Sequence, residues 1–189
     1  DVINPTTGKT WMDRNLGAIQ AATYSSDADS YGDLYQWGRG ADGHQCRNSA
    51  TTSNLSTTNV PGHGDFILST LGPNDWRNPQ NNNLWQGVNG TNNPCPSGYR
   101  LPTFAELDAE RNFWISNDAS GAFASPLKFT MAGYRYGNSG LFDSAGAIGC
   151  YWSSTINGTK SHYLYFDLSI AGVYDYSRAD GHSVRCIKD

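Results

Sequence analysis

The sequence predicts an α+β domain with two helices, several short strands and long ordered loops. Its 189 residues fit a single domain, residues 1–189, and 13% of them are aromatic, too many for a disordered chain. Only 16% are charged, while 21 Gly stand among many Asn, Ser and Thr residues that favour turns. Local patterns follow the order strand, helix, loops, helix and then strands only, which defines the class.

The first elements are a predicted β-hairpin and a predicted helix. Residues 1–18 alternate short apolar stretches around the turn at 4–8, which is typical of a hairpin ending at Trp11 and Met12. Residues 30–39 predict the first helix, because Gly38 is a stop signal and apolar side chains recur at near-helical spacing. Those side chains are Tyr31, Leu34, Tyr35 and Trp37.

Residues 40–93 form a long, loop-rich insertion dominated by Asn, Ser, Thr, Gly and Asp. A connection of this length is usually functional or packed on itself. Trp76, Trp85 and the apolar run 66–68 give it side chains to bury. We therefore expect an ordered insertion.

The second helix has a capping box. In this motif the Thr103 hydroxyl accepts from the backbone N–H of Glu106, and the Glu106 carboxylate accepts from the backbone N–H of Thr103. After residue 127, Gly and alternating aromatic residues predict only short strands. The last of these, within 150–189, include aromatic stretches at 151–152 and 163–166 and a closing strand at 183–187.

Charge and hydropathy exclude two classes of partner. Thirteen basic and 17 acidic residues give a net charge of −4, and no Lys/Arg cluster provides the footprint of a nucleic-acid binder. No apolar run approaches the ~20 residues that cross a bilayer, so we expect no membrane insertion. The chain begins at Asp1 with no signal-like segment, which indicates a mature chain or an excised domain.

Four widely spaced cysteines favour disulfides over zinc, because no C-x-x-C pair and no His at finger spacing occurs. Of the three possible pairings we favour Cys95–Cys186, since one precedes a helix signal and the other lies in the last strand. Disulfides suit an exported protein, so we predict an extracellular or cell-surface location. The alternative is a cytosolic protein with buried free thiols.

No catalytic residue, metal ligand or cofactor is predicted. The chain has two Glu: Glu106 is explained by capping, and Glu110 by solvation. His44 and His63 each have an acid two residues away, which is a conceivable metal site, although surface loop histidines are the ordinary explanation.

The C-terminal stretch mixes aromatic and short polar side chains, a composition that suits recognition. Tyr174 and Tyr176 are the expected anchors; the alternative is an ordinary hairpin with half-buried tyrosines. The predicted ligand-binding residues are His162, Tyr163, Tyr165, Asp167, Ile170, Val173, Tyr174, Asp175, Tyr176, Ser177, Asp180 and His182.

Five ordered strings, spread over essentially the whole chain, resemble the Fibrobacter succinogenes major paralogous domain, a branch of the C-type-lectin-like fold. They are TGKTWMDRNLGA (7–18), YGDLYQWGR (31–39), CPSGYRLPT (95–103), YWSS (151–154) and SVRCI (183–187). The resemblance implies a small twisted antiparallel sheet, two helices, loops that present a ligand, and an exported bacterial protein. It also implies the Cys95–Cys186 pairing.

The segment after YWSS resembles the variable region of proteins diversified by retroelements. Mutation of template adenines in Asn codons yields Asp, Tyr, His, Ser, Ile, Val or Leu, and ten positions between 167 and 182 belong to that set. On this reading Cys150 is also a diversified position, which puts a Cys46–Cys150 bridge in doubt. The implied function is a non-enzymatic, receptor- or adhesin-like domain that binds a protein or cell-surface ligand.

Three alternatives remain. A carbohydrate-binding module would use Tyr151 or Tyr165 as stacking platforms, although the calcium-dependent Glu-Pro-Asn and Gln-Pro-Asp motifs of C-type lectins are absent. A relative of formylglycine-generating enzymes would need a free, reactive thiol. A structural domain of a larger surface protein would need no ligand.

Overall fold

Two α-helices and thirteen short strands make up the regular structure of the computed structural model, which describes residues 1–189. The helices are α1 (Phe104–Asn112) and α2 (Ala119–Ala124), and one 3-10 turn covers Ala28–Ser30. The strands are β1 (Val2–Ile3), β2 (Thr10–Trp11), β3 (Tyr35–Gln36), β4 (Thr51–Thr52), β5 (Phe66–Ile67), β6 (Tyr99–Arg100), β7 (Tyr134–Arg135), β8 (Phe142–Asp143), β9 (Gly149–Asn157), β10 (Lys160–Phe166), β11 (Ala171–Tyr176), β12 (Gly181–His182) and β13 (Ile187–Lys188).

The strands form four small sheets. Three are antiparallel, in the orders β1-β2-β13-β6, β11-β10-β9 and β3-β12-β7-β8. The fourth is the parallel pair β4-β5 inside the insertion. Two helices with several small antiparallel sheets confirm the mixed α and β composition that the sequence predicts.

The capping box of α1 is present as predicted. The Thr103 hydroxyl accepts from the Glu106 N–H at 3.3 Å, and the Glu106 carboxylate accepts from the Thr103 N–H at 2.8 Å. Asp118 caps α2 by accepting from the Gly121 N–H. Neither helix is long and apolar enough to cross a membrane.

The helix predicted over residues 30–39 is wrong. Gly32 and Gly38 have φ values of +64° and +82°, outside the right-handed helical region. Tyr35 and Gln36 form β3, which pairs with β12 from the far end of the chain. The second helix of the fold is instead α2, which the sequence patterns do not predict.

The insertion at 40–93 is ordered around its aromatic side chains, as expected. Phe66, Trp76 and Trp85 are fully buried. The Trp76 indole donates to the Trp37 carbonyl at 2.7 Å, and the Trp85 indole donates to the Asn92 carbonyl at 2.9 Å. The insertion is therefore held by buried tryptophans rather than by extended sheets.

Strand β9 separates two hydrophobic clusters. Tyr151 points into the cluster beneath α1 and α2, which also contains Leu164 and Phe166. Trp152, the next residue, points into the cluster formed with the tryptophans of the insertion. The period of two along a strand thus gives β9 two buried faces.

The Cys95–Cys186 disulfide is present, which confirms the predicted pairing. Cys186 is buried in the second cluster. Cys46 and Cys150 are free, so no second bridge forms.

Candidate ligand-binding site

Strands β10 and β11 of the β9-β10-β11 sheet have one face packed on the protein and one largely open face, whereas β9 is buried on both faces. On β10, Leu164 and Phe166 are buried among side chains of the helices. Tyr163 and Tyr165 point the opposite way, because successive side chains alternate. We call this second side of the sheet the open face; it carries Tyr163, Tyr165, Tyr174 and Tyr176.

Cross-strand register groups these tyrosines. Tyr163 lies opposite Tyr174, and their rings are 6.4 Å apart. Tyr163 also lies 5.9 Å from the ring of Tyr176, and Tyr165 lies 6.0 Å from that of Tyr174. Tyr174 and Tyr176 are 46% and 40% exposed, large values for aromatic side chains on a sheet. The open face is therefore a contiguous aromatic surface in contact with solvent.

A cavity of about 230 Å³ opens among these rings, and we call it the tyrosine cavity. None of its lining side chains is basic apart from an imidazole. They are Tyr134, Ile148, Cys150, Tyr163, Tyr165, Tyr176 and His182. The sheet supplies Cys150 and three of the tyrosines, and the neighbouring β7 and β12 supply Tyr134 and His182.

His182 is buried in this cavity wall, as is Cys150. Its ring stacks on Trp152 with centroids 4.1 Å apart. Complete burial lowers the pKa of His182 to about 3, so the imidazole is neutral at physiological pH. Its Nδ1 atom is buried and makes no hydrogen bond within the chain.

A second, more polar cavity of about 400 Å³ adjoins the first and shares Tyr176 with it. Its wall includes Asn74, Asn138, Lys160 and Asp180. Burial raises the pKa of Asp180 to about 7, although the Gly137 N–H donates to its carboxylate at 2.6 Å. Asp180 is thus a carboxyl group that changes charge near neutral pH.

The turn between β10 and β11 is held by Asp167. Its Oδ1 accepts from the backbone N–H groups of Ser169 and Ile170, at 2.7 and 2.9 Å. Its Oδ2 accepts from the Tyr165 hydroxyl at 2.8 Å. Ile170 is 48% exposed at this turn. At the other end of β11, the Ser177 hydroxyl donates to the Asn74 carbonyl.

The structure divides the predicted ligand-binding residues between the two faces of the sheet. His162 lies on the packed face, where its ring is 4.8 Å from that of Phe104 on α1. Val173, opposite Leu164, packs against the first cluster. Asp175 pairs with Lys160 at 3.3 Å. Asp180 and His182 are buried and reach a ligand only through the cavities.

Sequence reasoning missed Tyr134 and Ile148, which complete the tyrosine cavity. Tyr134 belongs to an aromatic stretch whose pattern predicts only a strand. Its approach to the open face depends on the pairing of β7 with β12, between residues 46 positions apart. No local pattern in the sequence signals that pairing.

Two predictions about titratable residues are wrong. Glu110 is 1% exposed rather than solvated, and its carboxylate accepts from the Asn4 amide and the Trp114 indole. His44 is buried rather than on a surface loop: its Nδ1 lies 2.7 Å from Asp42, and its Nε2 accepts from a backbone N–H. Burial lowers the pKa of His44 to about 4. Both residues have structural partners that account for them.

Comparison of the chain with protein-family models, with curated proteins and with solved structures finds no match in any of the three.

Proposed function

We propose that this chain is a non-enzymatic ligand-binding domain, receptor- or adhesin-like, of an exported bacterial protein. In this proposal it has a C-type-lectin-like fold of the Fibrobacter succinogenes paralogous type, and a retroelement diversifies its binding surface. The observation that carries the proposal is the open face, where the rings of four tyrosines form one contiguous aromatic surface on paired strands.

The physics of this surface supports a binding role. Tyrosine offers a large contact area and loses little side-chain entropy when it is immobilised. The sheet behind it is held by Leu164 and Phe166 in the core and by Asp167 at the turn. Such preorganisation lowers the entropic cost of association. Truncating Tyr174 or Tyr176 to Ala is therefore expected to cost about 2 kcal/mol or more of binding energy at an interface centre.

The alternation of faces supports the diversified surface. Tyr174 and Tyr176 project away from both hydrophobic clusters, so substitutions there leave the core packing intact. Leu164 and Phe166, on the paired strand, are fully buried and do not tolerate polar replacements. Cys150, free and facing the tyrosine cavity, is compatible with a variable position.

Amplicon sequencing of codons 130–189 across a population of the source organism tests this function. We expect substitutions at adenine positions of codons 160–182, concentrated on Tyr163, Tyr165, Tyr174 and Tyr176. Codons 151–154 and 183–187 should stay fixed, and the buried positions of β10 should stay apolar. A uniform 3′ end, or substitutions spread equally over both faces, would contradict the proposal.

A carbohydrate-binding function is the second candidate, favoured by the polar cavity beside Tyr176. Its amide, hydroxyl and carboxyl groups are those that bind sugar hydroxyls, and Tyr176 would provide a stacking ring. Tyr151 does not serve as a platform, because it is fully buried and its hydroxyl is bonded to Thr130. Saturable binding on a soluble-glycan panel that is lost in Tyr176→Ala and kept in Tyr24→Ala would favour this candidate.

The thiol chemistry of the chain gives less support to an enzyme of the formylglycine-generating type. Cys95 and Cys186 are joined in the disulfide, and burial raises the pKa of the Cys150 thiol. A raised pKa disfavours the thiolate, which is the nucleophilic form. Since two thiols are free, a thiol count alone does not discriminate; the rate at which iodoacetamide modifies Cys150 in the native protein does.

A further inference from the structure

The tyrosine cavity is lined by five aromatic rings, those of four tyrosines and His182, and we call this set of rings the cage. Around the His182 ring, the centroids of Tyr163, Tyr134 and Tyr176 lie at 4.8, 6.2 and 6.2 Å. The cavity volume of about 230 Å³ is below the roughly 300–1,000 Å³ typical of pockets for drug-sized ligands. It therefore suits one side chain of a partner rather than an entire glycan or cofactor.

The rings of the cage are connected to carboxylates. The Tyr165 hydroxyl donates to Asp167 at 2.8 Å. The Tyr134 hydroxyl donates to that of Tyr136 at 2.8 Å, which donates in turn to Asp143 at 3.0 Å. Aromatic faces carry negative potential, and a hydroxyl bonded to a carboxylate strengthens it. Two acidic side chains thus reinforce the attraction of this cage for positive charge.

The remaining charges near the cage agree in sign. Asp180 lies near Cys150 and Tyr176. Burial is the largest cause that raises the pKa of these two residues, and the negative charge of Asp180 is the second largest. No Lys or Arg lines the cage. Lys160, on the adjoining polar cavity, is paired with Asp175 at 3.3 Å. The neutral His182 adds no positive charge, so a bound cation meets no competing cation in the wall.

We propose that the tyrosine cavity binds the cationic end of an arginine or lysine side chain presented by a protein partner. The proposal rests on the proposed function, because it assigns the ligand chemistry of the open face. A cation placed among these rings gains from cation–π attraction and from the carboxylates behind them. An anionic group would be repelled by the same carboxylates.

The test is a titration followed by NMR signals of the tyrosine rings. The probe is the capped tripeptide acetyl-Gly-Arg-Gly-amide, and the matched control is its citrulline counterpart, a neutral isostere of arginine. We expect saturable shifts of the cage tyrosines with a Kd in the millimolar range, and binding about tenfold weaker for citrulline. Equal affinity for the two peptides, or no saturable shift at tens of millimolar arginine peptide, would overturn the proposal.

Substitutions locate the binding within the cage. Tyr176→Leu is expected to raise the Kd of the arginine peptide about fivefold or more. Tyr24→Leu, at an exposed tyrosine outside the open face, should leave it unchanged. Tyr176 is 40% exposed, which favours folding of its variant, and Tyr163→Leu is the second cage variant. Equal effects at Tyr24 and Tyr176 would also overturn the assignment.

The outcomes separate the cation site from the proposed function. Diversified open-face codons, together with equal binding of arginine and citrulline, would reject the cation site and retain a diversified receptor. A uniform 3′ end with arginine-selective shifts at the cage tyrosines would retain the cation site and reject diversification.

Discussion

At the scale of single residues, the groups beneath the open face are buried but ionisable. Asp180 has one hydrogen bond to its carboxylate, from the Gly137 N–H, and it is 4% exposed. Burial penalises its charged form, which raises its pKa from 3.8 to about 7. Its titratable neighbours Cys150 and Tyr176 stay neutral over the range in which Asp180 changes charge, because burial raises their pKa values too.

Asp180→Asn should change how stability depends on pH. Because the folded pKa of about 7 exceeds the unfolded value, Asp180 favours folding below pH ~4, and this contribution is lost as the pH rises through 7. The wild type should therefore lose stability relative to Asp180→Asn between pH 4 and pH 7.5, by on the order of a few kcal/mol at most. Urea unfolding of both proteins at several pH values measures this difference.

The comparison with Asp180→Asn has internal controls. The lowered pKa values of His44 and His182 affect both proteins alike and cancel in the difference. Asp29→Asn, at an exposed position, controls for the loss of a charge. A difference between wild type and Asp180→Asn that stays constant with pH would show that Asp180 does not titrate in this range.

Predictions for single residues are confirmed where neighbouring residues determine the structure, or where sequence motifs indicate which two residues pair. The Cys95–Cys186 disulfide followed from element positions and from the resemblance. Glu110 and His44 were mispredicted because their environment comes from elsewhere: Asn4, the partner of Glu110, lies 106 residues away. A polar residue in a polar stretch gives no sign of such burial.

At the scale of elements, the same contrast separates the two predicted helices. The capping box of α1 uses atoms within four residues, so the sequence contains its whole cause. Residues 30–39 contain two glycines with left-handed backbone conformations, and their strand β3 pairs with β12, about 145 residues away. Tertiary pairing overrode a short periodic signal there. The division of residues 162–176 between two faces follows from strand alternation, once the strands and the helix that covers them are known.

Thr103→Ala tests the capping box as an element. We expect the free energy of unfolding to fall by about 1 kcal/mol, because the Glu106 N–H at the helix start loses its acceptor. Thr103→Ser keeps the hydroxyl and should retain most of the stability. Urea unfolding compares the three proteins. An equal loss in the Ser and Ala variants would assign the effect to packing of the methyl group rather than to the cap.

At the scale of the whole molecule, stability depends on joining distant parts of a loop-rich chain. The first cluster contains side chains from both helices, and the second contains the tryptophans of the insertion. Strand β9 connects the clusters through Tyr151 and Trp152, and the closing segment connects them again through Ile187 and Cys186. Aromatic side chains therefore fill two hydrophobic cores, and few residues around these cores belong to helices or strands.

The disulfide should carry a large share of this stability, because it joins residues 91 positions apart. In the chain-entropy model, closing a loop of that length is worth roughly 4–5 kcal/mol, and the measured range for disulfides is about 0–5. Cys95→Ala/Cys186→Ala should therefore unfold at clearly lower urea concentration than the wild type. Cys46→Ala, which removes a free and partly exposed thiol, should leave the midpoint nearly unchanged. If the double variant matched Cys46→Ala, the two clusters alone would hold the C-terminal segment against the middle of the chain, and the disulfide would add little to equilibrium stability.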